Sequence, residues 1–241
     1  MIESMTENLY FRQLLAGRDF ARTNRIAAQM VNFVYLIGDR PTGECLIVDP
    51  AWDISGLTEI IEKDGMKIVG ALATHYHPDH VGGGFMGLGI EGVAKLLERV
   101  DAKVHVNREE ADGLKRITGL SNSDLVLHDS GGVLEIGEQR IELIHTPGHT
   151  PGSQCFLVNG QLLVSGDTLF VNGCGRVDLP GSDPEKMYES LTQKLAKLPD
   201  DIILYPGHDY ADRPTSTLGV EKQTNYYLRI NSLDQWLRLM G

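Results

Sequence analysis

The chain has 241 residues, 41% of them hydrophobic and 23% charged, enough apolar material for a sizeable core and too much for wholesale disorder. Its formal net charge of −11 gives an acidic surface that repels phosphate backbones, which excludes nucleic acid as the expected partner. No stretch approaches the ~18 apolar residues that cross a bilayer, the acidic opening Met1-Ile2-Glu3-Ser4-Met5-Thr6-Glu7 is unlike a secretory leader, and Cys45, Cys155 and Cys174 form no disulfide framework, so the expected setting is cytoplasmic and off the membrane.

In chain order, residues 31–38 and 45–48 are rich in β-formers and flank a turn at Asp39-Arg40-Pro41-Thr42-Gly43, which predicts a strand pair. Residues 54–63 have a helical pattern, with Asp53 or Ser55 as the cap. A buried strand is predicted over 68–74, a helix over 89–100 and a short strand over 103–106. A helix over 109–117 follows Asn107, an N-cap with Glu110 three residues on.

The second half alternates as strands over 133–136, 140–145, 154–158 and 161–164, with tight turns at Gly137-Glu138 and Asn159-Gly160. Asp183-Pro184 is a helix start, a capping carboxylate before a proline at the first helical position, and that helix runs to about Lys197. A strand over 202–205 and a helical region from Thr217 to near the end complete the pass. Strands and helices, then strands and helices again, predict one layered α/β domain over 1–241, made of two halves of roughly 1–130 and 131–241.

The chemistry is concentrated in Thr74-His75-Tyr76-His77-Pro78-Asp79-His80, three imidazoles and a carboxylate within six residues. In an extended segment residues two apart share a face, so His75 and His77 can meet one ion. Pro78 turns the chain and lets Asp79 and His80 meet another. One such histidine would be an ordinary loop residue; three with an aspartate behind a buried run read as metal ligands for zinc, iron or manganese.

Three more segments repeat the arrangement of an apolar run followed by a tight turn: Thr146-Pro147-Gly148-His149, Ser165-Gly166-Asp167-Thr168 and Tyr205-Pro206-Gly207-His208. Proline and glycine fix such turns and let the backbone approach closely. The ligand count then closes: His75, His77 and His149 on one metal, Asp79, His80 and His208 on the other, and Asp167 bridging both. Each metal keeps a position open for water, as catalytic sites do. His105, His128 and His145 lack the turn context; His105 and His145 read as strand residues and His128 as a surface residue.

With these residues in view, the chain resembles the metallo-β-lactamase superfamily of His-x-His-x-Asp-His hydrolases, from about Gln29 to Tyr227. Within it, Gly173-Cys174-Gly175-Arg176, the 205–210 segment and Ser216-Thr217-Leu218-Gly219 are similar to the glyoxalase II group and the persulfide dioxygenases. The resemblance implies a four-layer αββα sandwich with the metals at one edge of the two sheets. Two departures from glyoxalase II go with it: Asp178 stands where many of those enzymes carry an aromatic residue, and about thirty residues follow His208 where those enzymes continue into a helical domain that helps hold glutathione. In the persulfide dioxygenases the resemblance implies one iron on two histidines and an aspartate, which map onto His75, His149 and Asp167.

No protein nucleophile is evident: there is no Gly-x-Ser-x-Gly elbow, and Cys174 has no neighbouring histidine in sequence. A water activated by two divalent ions, zinc first among them, is the expected nucleophile. Asp79, His80 and Asp167 are the expected catalytic residues, with Asp79 orienting the nucleophile. Arg176 is a candidate anchor for a substrate carboxylate, weighed evenly against an ion pair with Asp178 or Asp183, and Tyr210 a candidate pocket residue. The expected reaction is hydrolysis of a thioester such as a hydroxyacylglutathione, with a small-molecule glutathione conjugate as partner; the alternatives are an iron persulfide dioxygenase or another hydrolase of the same fold. A homodimer is compatible with the chain.

Overall fold

The computed structural model describes residues 7–85 and 87–241. The first half runs β1 (Leu9–Leu15), α1 (Arg25–Met30), β2 (Phe33–Asp39), β3 (Glu44–Val48), α2 (Ile54–Lys63), β4 (Lys67–Leu72), α3 (Pro78–Val81), β5 (Gly83–Phe85), β6 (Leu88–Ile90), α4 (Val93–Leu97), β7 (Val104–Asn107), α5 (Ala111–Thr118) and β8 (Leu125–His128). The second runs β9 (Val133–Ile136), β10 (Gln139–His145), β11 (Gln154–Val158), β12 (Leu162–Gly166), β13 (Leu169–Phe170), β14 (Gly173–Cys174), α6 (Pro184–Glu189), β15 (Ile203–Pro206), β16 (Ser216–Thr217), α7 (Leu218–Thr224) and α8 (Leu233–Met240). Each half contributes one six-stranded sheet, ordered β1-β2-β3-β4-β7-β8 and β16-β15-β12-β11-β10-β9.

Side-chain alternation places each sheet between two cores. In β2, Phe33, Tyr35 and Ile37 join the cluster between the sheets, while Val34 and Leu36 join the cluster under the first helix layer. In β11, Phe156 and Val158 face the other sheet while Cys155 and Leu157 face the second helix layer. A strand buried on both faces reads as a continuous apolar run, and its period of two assigns each residue to a layer. Leu57 and Ile61 of α2 and Leu114 of α5 close one outer core; Met187, Leu191 and Leu195, four residues apart, and Trp236 of α8 close the other. This is the αββα sandwich that the resemblance implied. Among the described residues, no helix is long and apolar enough to cross a membrane.

The helix over Ile54–Lys63 has the expected bounds, and Asp53 caps it by accepting from the Gly56 N–H. Three expectations change. The segment 89–100 is helical only over Val93–Leu97, because glycines at 87, 89 and 92 lower helix propensity and Leu88–Ile90 instead pairs with Gly83–Phe85. The helix capped by Asp183 is α-helical only to Glu189, then passes through a π turn at Ser190–Lys194 and a tighter turn at Leu195–Lys197. Within it, the Ser190 hydroxyl donates to the Pro147 carbonyl at 2.7 Å. The terminal helical region breaks at Asn225, whose amide donates to the carbonyls of Phe170 and Gly173 at 3.2 and 3.1 Å, and restarts behind the Ser232 cap. Strands β1 and β8 and helix α1 had no clear signal in the sequence.

Trp236 is fully buried, and its indole N–H donates to the Pro184 carbonyl at 2.7 Å, tying α8 to α6. Trp236→Ala is expected to cost about 3–5 kcal/mol, read from the urea midpoint at constant slope. His105 and His128 stack on neighbouring parallel strands with ring nitrogens 2.8 Å apart. Burial, then the His128 charge, pushes His105 down to about 4, and burial lowers His128 as well. Both rings resist protons in the folded chain while the unfolded chain binds them near ~6.5. Their contribution is therefore complete above that value and is lost as pH falls toward about 4. The stability gap between wild type and a His105→Asn/His128→Asn double variant should shrink steadily in urea titrations from pH 7 to pH 4.5.

Candidate metal centre

β12 and β15 are parallel, and β10 shares their direction because it is antiparallel to β11, which is antiparallel to β12. The C-terminal ends of all three therefore fall at one edge of the second sheet. His149 follows β10, Asp167 follows β12 and His208 follows β15. In the first sheet β3 and β4 are parallel, and Asp49 and His75–His80 follow them at the same edge. The sheets are joined there: the Phe33 N–H donates to the Gly207 carbonyl at 2.8 Å, and the Gln154 N–H to that of Thr74 at 2.9 Å. Close backbone approach is required. A Cβ on Gly207 would lie 2.3 Å from Asp167 Oδ1, and Gly166, with φ +50°, would put one 2.7 Å from the Thr74 side chain.

The structure brings all seven expected ligand side chains together. His77 Nδ1 lies 3.0 Å from both His75 Nε2 and His149 Nε2. His80 Nε2 lies 3.1 Å from His208 Nε2, and each is 3.5 Å from Asp79 Oδ2. Donors about 2.0–2.1 Å from a tetrahedral zinc stand roughly 3.3 Å from one another, so both spacings suit a shared ion. Asp167 Oδ2 lies 3.7 Å from His149 Nε2 and 3.3 Å from His208 Nε2, within reach of both groups. The two groups His75–His77–His149 and Asp79–His80–His208 could each hold a metal ion.

A second set of contacts fixes which ring nitrogen faces inward. His149 Nδ1 donates to the Arg176 carbonyl at 2.8 Å and His208 Nδ1 to that of Met30 at 2.7 Å. A carbonyl only accepts, so Nε2 of each ring presents its lone pair to the centre. Asp49 is the hub of the set: its carboxylate accepts from the Thr74 N–H at 2.7 Å, the Thr74 hydroxyl at 2.6 Å and His80 Nδ1 at 2.9 Å. With its proton given to Asp49, the Thr74 oxygen accepts from His75 Nδ1 at 3.0 Å. The Asn32 amide donates to Asp79 Oδ2 at 3.0 Å, and its oxygen accepts from the Trp52 indole at 3.0 Å.

Glu110 also reaches the site from α5's entry, and not as the capping partner of Asn107, whose side chain takes the Glu109 N–H. Its buried carboxylate accepts from the N–H groups of Tyr76 and Gly152 at 2.6 and 2.7 Å, tying one ligand loop to the other. Asp49, Asn32 and Glu110 were not legible as site residues. Only Asp49 carried a signal, an acid directly after an apolar strand.

Charge tests whether these residues fit a metal. Burial opposes ionisation of Asp79 and Asp167, yet both carboxyls are held below the usual range, by His80 and His208 for Asp79 and by His208 and His80 for Asp167. Burial also opposes protonation of His80, but Asp167 and Asp79 push it up to about 10. His208 is raised in the same way, whereas burial and neighbouring imidazoles lower His75 and His77, the latter to about 4. The protein alone thus needs positive charge between the two aspartates and crowds the ring nitrogens of His75 and His77 to 3.0 Å. Asp167 Oδ1 is buried without a hydrogen bond. Divalent cations answer all three features, and the nitrogen and carboxylate donors suit zinc, iron or manganese.

The centre opens onto a cleft of about 990 Å³, lined among others by Arg176, Tyr210, Cys174 and Phe170. Tyr210 stacks on His208, with ring centroids 4.6 Å apart and an interplanar angle of 9°. The Arg176 guanidinium is paired with Asp178 through two 2.7 Å contacts, while Asp183 caps α6. Burial pushes the Cys174 thiol up to about 12, a poor thiolate source. His105 and His145 lie on strands; His128, expected on the surface, ends β8 half-buried against His105.

The Asp49 hub yields a direct expectation. Asp49→Asn keeps the size but removes the acceptor that orients His80 and Thr74. Metal affinity should fall about 10–100-fold, measured by competition with a chromophoric chelator. An unchanged affinity would remove Asp49 from the orienting role.

Known proteins agree with this architecture. A profile of the metallo-beta-lactamase superfamily matches residues 29–208. The chain is 29% identical over 212 residues to the human mitochondrial persulfide dioxygenase ETHE1, covering 87% of this chain and 76% of that one. It is 35% identical over 192 residues to the hydroxyacylglutathione hydrolase of Rhodopseudomonas palustris, covering 79% and 68%. The crystal structure of TTHA1623 in a di-iron-bound form superposes with a TM-score of 0.65 at 29% identity, covering 82% of this chain and 96% of that one. The resemblance read from His75–His80 and the three later turns therefore holds, and the chain belongs to the metallo-beta-lactamase superfamily.

Proposed function

We propose that this protein is a binuclear metallohydrolase that cleaves thioesters. The observation that carries the reading is the complete second ligand group. Asp79, His80 and His208 converge as closely as His75, His77 and His149 do, with Asp167 in reach of both. In this reading those seven residues hold two divalent ions, zinc first among the candidates. Bound there, the ions would make hydroxide available near neutral pH and polarise a carbonyl oxygen.

The chain's own residues supply the rest. Asp79, whose Oδ2 is held by Asn32, orients the attacking water through its carboxylate. Asp167 sets the spacing between the two ligand groups, and the Asp49–His80 contact keeps that ring's lone pair on the centre. Tyr210 lies flat on His208 and forms part of the wall beside the reacting carbonyl. A thioester suits the site because its thiolate is a good leaving group that departs without a proton donor.

A second reading has specific support: the identity with human persulfide dioxygenase, together with His149 and Asp167 lying within ligand distance of each other. That chemistry would use one iron on His75, His149 and Asp167. Metal analysis of protein purified without added metal, with two assays, separates the readings. Two equivalents of metal and cleavage of a panel of acyl thioesters that includes S-lactoylglutathione are expected. One equivalent of iron with oxygen uptake on glutathione persulfide would replace the hydrolase by the dioxygenase.

A further inference from the structure

We infer that the cleft selects thioesters whose thiol arm is uncharged and largely apolar, and disfavours glutathione thioesters; this rests on the thioesterase reading above. The wall beside the centre is built from Met30, Phe170, Val171, Leu179, Pro180 and Tyr210. Phe170 and Val171 are buried, with 8% and 5% exposure, so this wall is a packed surface continuous with the protein interior. The Phe170 ring stands edge-on to Tyr210 at 5.3 Å and to His208 at 5.9 Å, so the apolar surface begins directly at the ligand group.

The charge of the cleft points the same way. Among the described residues lining it, Arg176 is the one Lys or Arg, and Asp178 occupies its planar donor fork with two 2.7 Å contacts. The other charged groups on the lining, apart from the metal-binding aspartates, come down to Asp212, an acid. Glutathione carries two carboxylates, one at each end of the tripeptide, and one ammonium, a net negative charge. Binding it would set its carboxylates against the Asp178–Arg176 pair, whose guanidinium is already half-neutralised, and near Asp212, and like charges across an interface disfavour the wrong partner. An arm of methylenes and secondary amides lies along the wall without that conflict, since the apolar parts bury against Phe170 and Leu179 and the amides stay at the open side.

The reaction is ordinary hydrolysis. Water delivers its oxygen to the acyl carbon, the C–S bond breaks, and the sulfur leaves as a thiol with a proton taken from that water. No oxidant or second substrate enters.

The test uses the metal-loaded protein and one acyl group, butyryl, on two thiols: N-acetylcysteamine, which is uncharged, and glutathione. Beside them, binding of the non-hydrolysable thioethers S-hexyl-N-acetylcysteamine and S-hexylglutathione is measured by calorimetry. The expected result is a kcat/KM and an affinity at least about tenfold higher for the uncharged arm. Asp178→Asn, which frees the guanidinium, should narrow that gap by roughly threefold through gain on the glutathione side. Equal or better turnover and binding of the glutathione compounds would overturn the inference and leave thioester hydrolysis standing. Tenfold tighter binding of the uncharged thioether with cleavage of neither thioester would support the cleft's selectivity and overturn the hydrolase reading instead.

Discussion

Two carboxylates buried among five imidazoles set the terms for the rest of this molecule. Asp79 and Asp167 are ionised in a place where charge is costly, and their negative charge has to be balanced within a few ångströms. Single side chains on a flexible loop could not hold such a cluster. Each member is instead fixed at the end of a strand, and the strands are locked into sheets whose faces are packed on both sides. The sandwich is the frame that makes a concentrated polar site tolerable at its edge.

The outer partners convert that frame into chemistry. Asp49, Thr74, Asn32 and the carbonyls of Met30 and Arg176 each decide where one ring proton or amide proton sits. Without them, imidazoles could turn an N–H toward the centre and lose their value as metal ligands. Glu110 works at a longer range. Its two N–H contacts hold Tyr76 beside Gly152, so the loop carrying His75 and His77 is registered against the loop carrying His149. Positioning is thus distributed over residues outside the ligand set itself.

The cleft itself departs from the polar character of the centre it serves. One wall is apolar, and among the described residues lining the cleft the one Lys or Arg, Arg176, is paired with Asp178. Relatives with different named activities match much of the chain, at 29% and 35% identity.

Legibility followed locality. The seven expected ligand residues stood out because each sits in a short segment where an apolar run meets a Pro- or Gly-bearing turn, or a dense His/Asp run, and that pattern survives in one dimension. Strands over Glu44–Val48 and Gln154–Val158 and the helix over Ile54–Lys63 were readable for the same reason: their periodicity is internal. Strand β1 was not, because Leu9–Leu15 mixes Arg12 and Gln13 into its run and becomes a strand by pairing with β2. The helix expected over 89–100 failed where glycines surrendered its first turn to a hairpin. Asp49, Asn32 and Glu110 lay beyond reach because each acts on a partner 25 to 47 residues away. So did the pairing of Arg176 with Asp178 in preference to Asp183, which depends on which way two exposed side chains turn once the chain is folded. The sequence by itself determined which side chains could ligate and roughly which layers would carry them, since donor chemistry and strand periodicity are local properties. Only the tertiary structure decided that they converge, which ring nitrogen points inward and what wall the substrate meets, because these depend on distances between segments that the linear order does not contain.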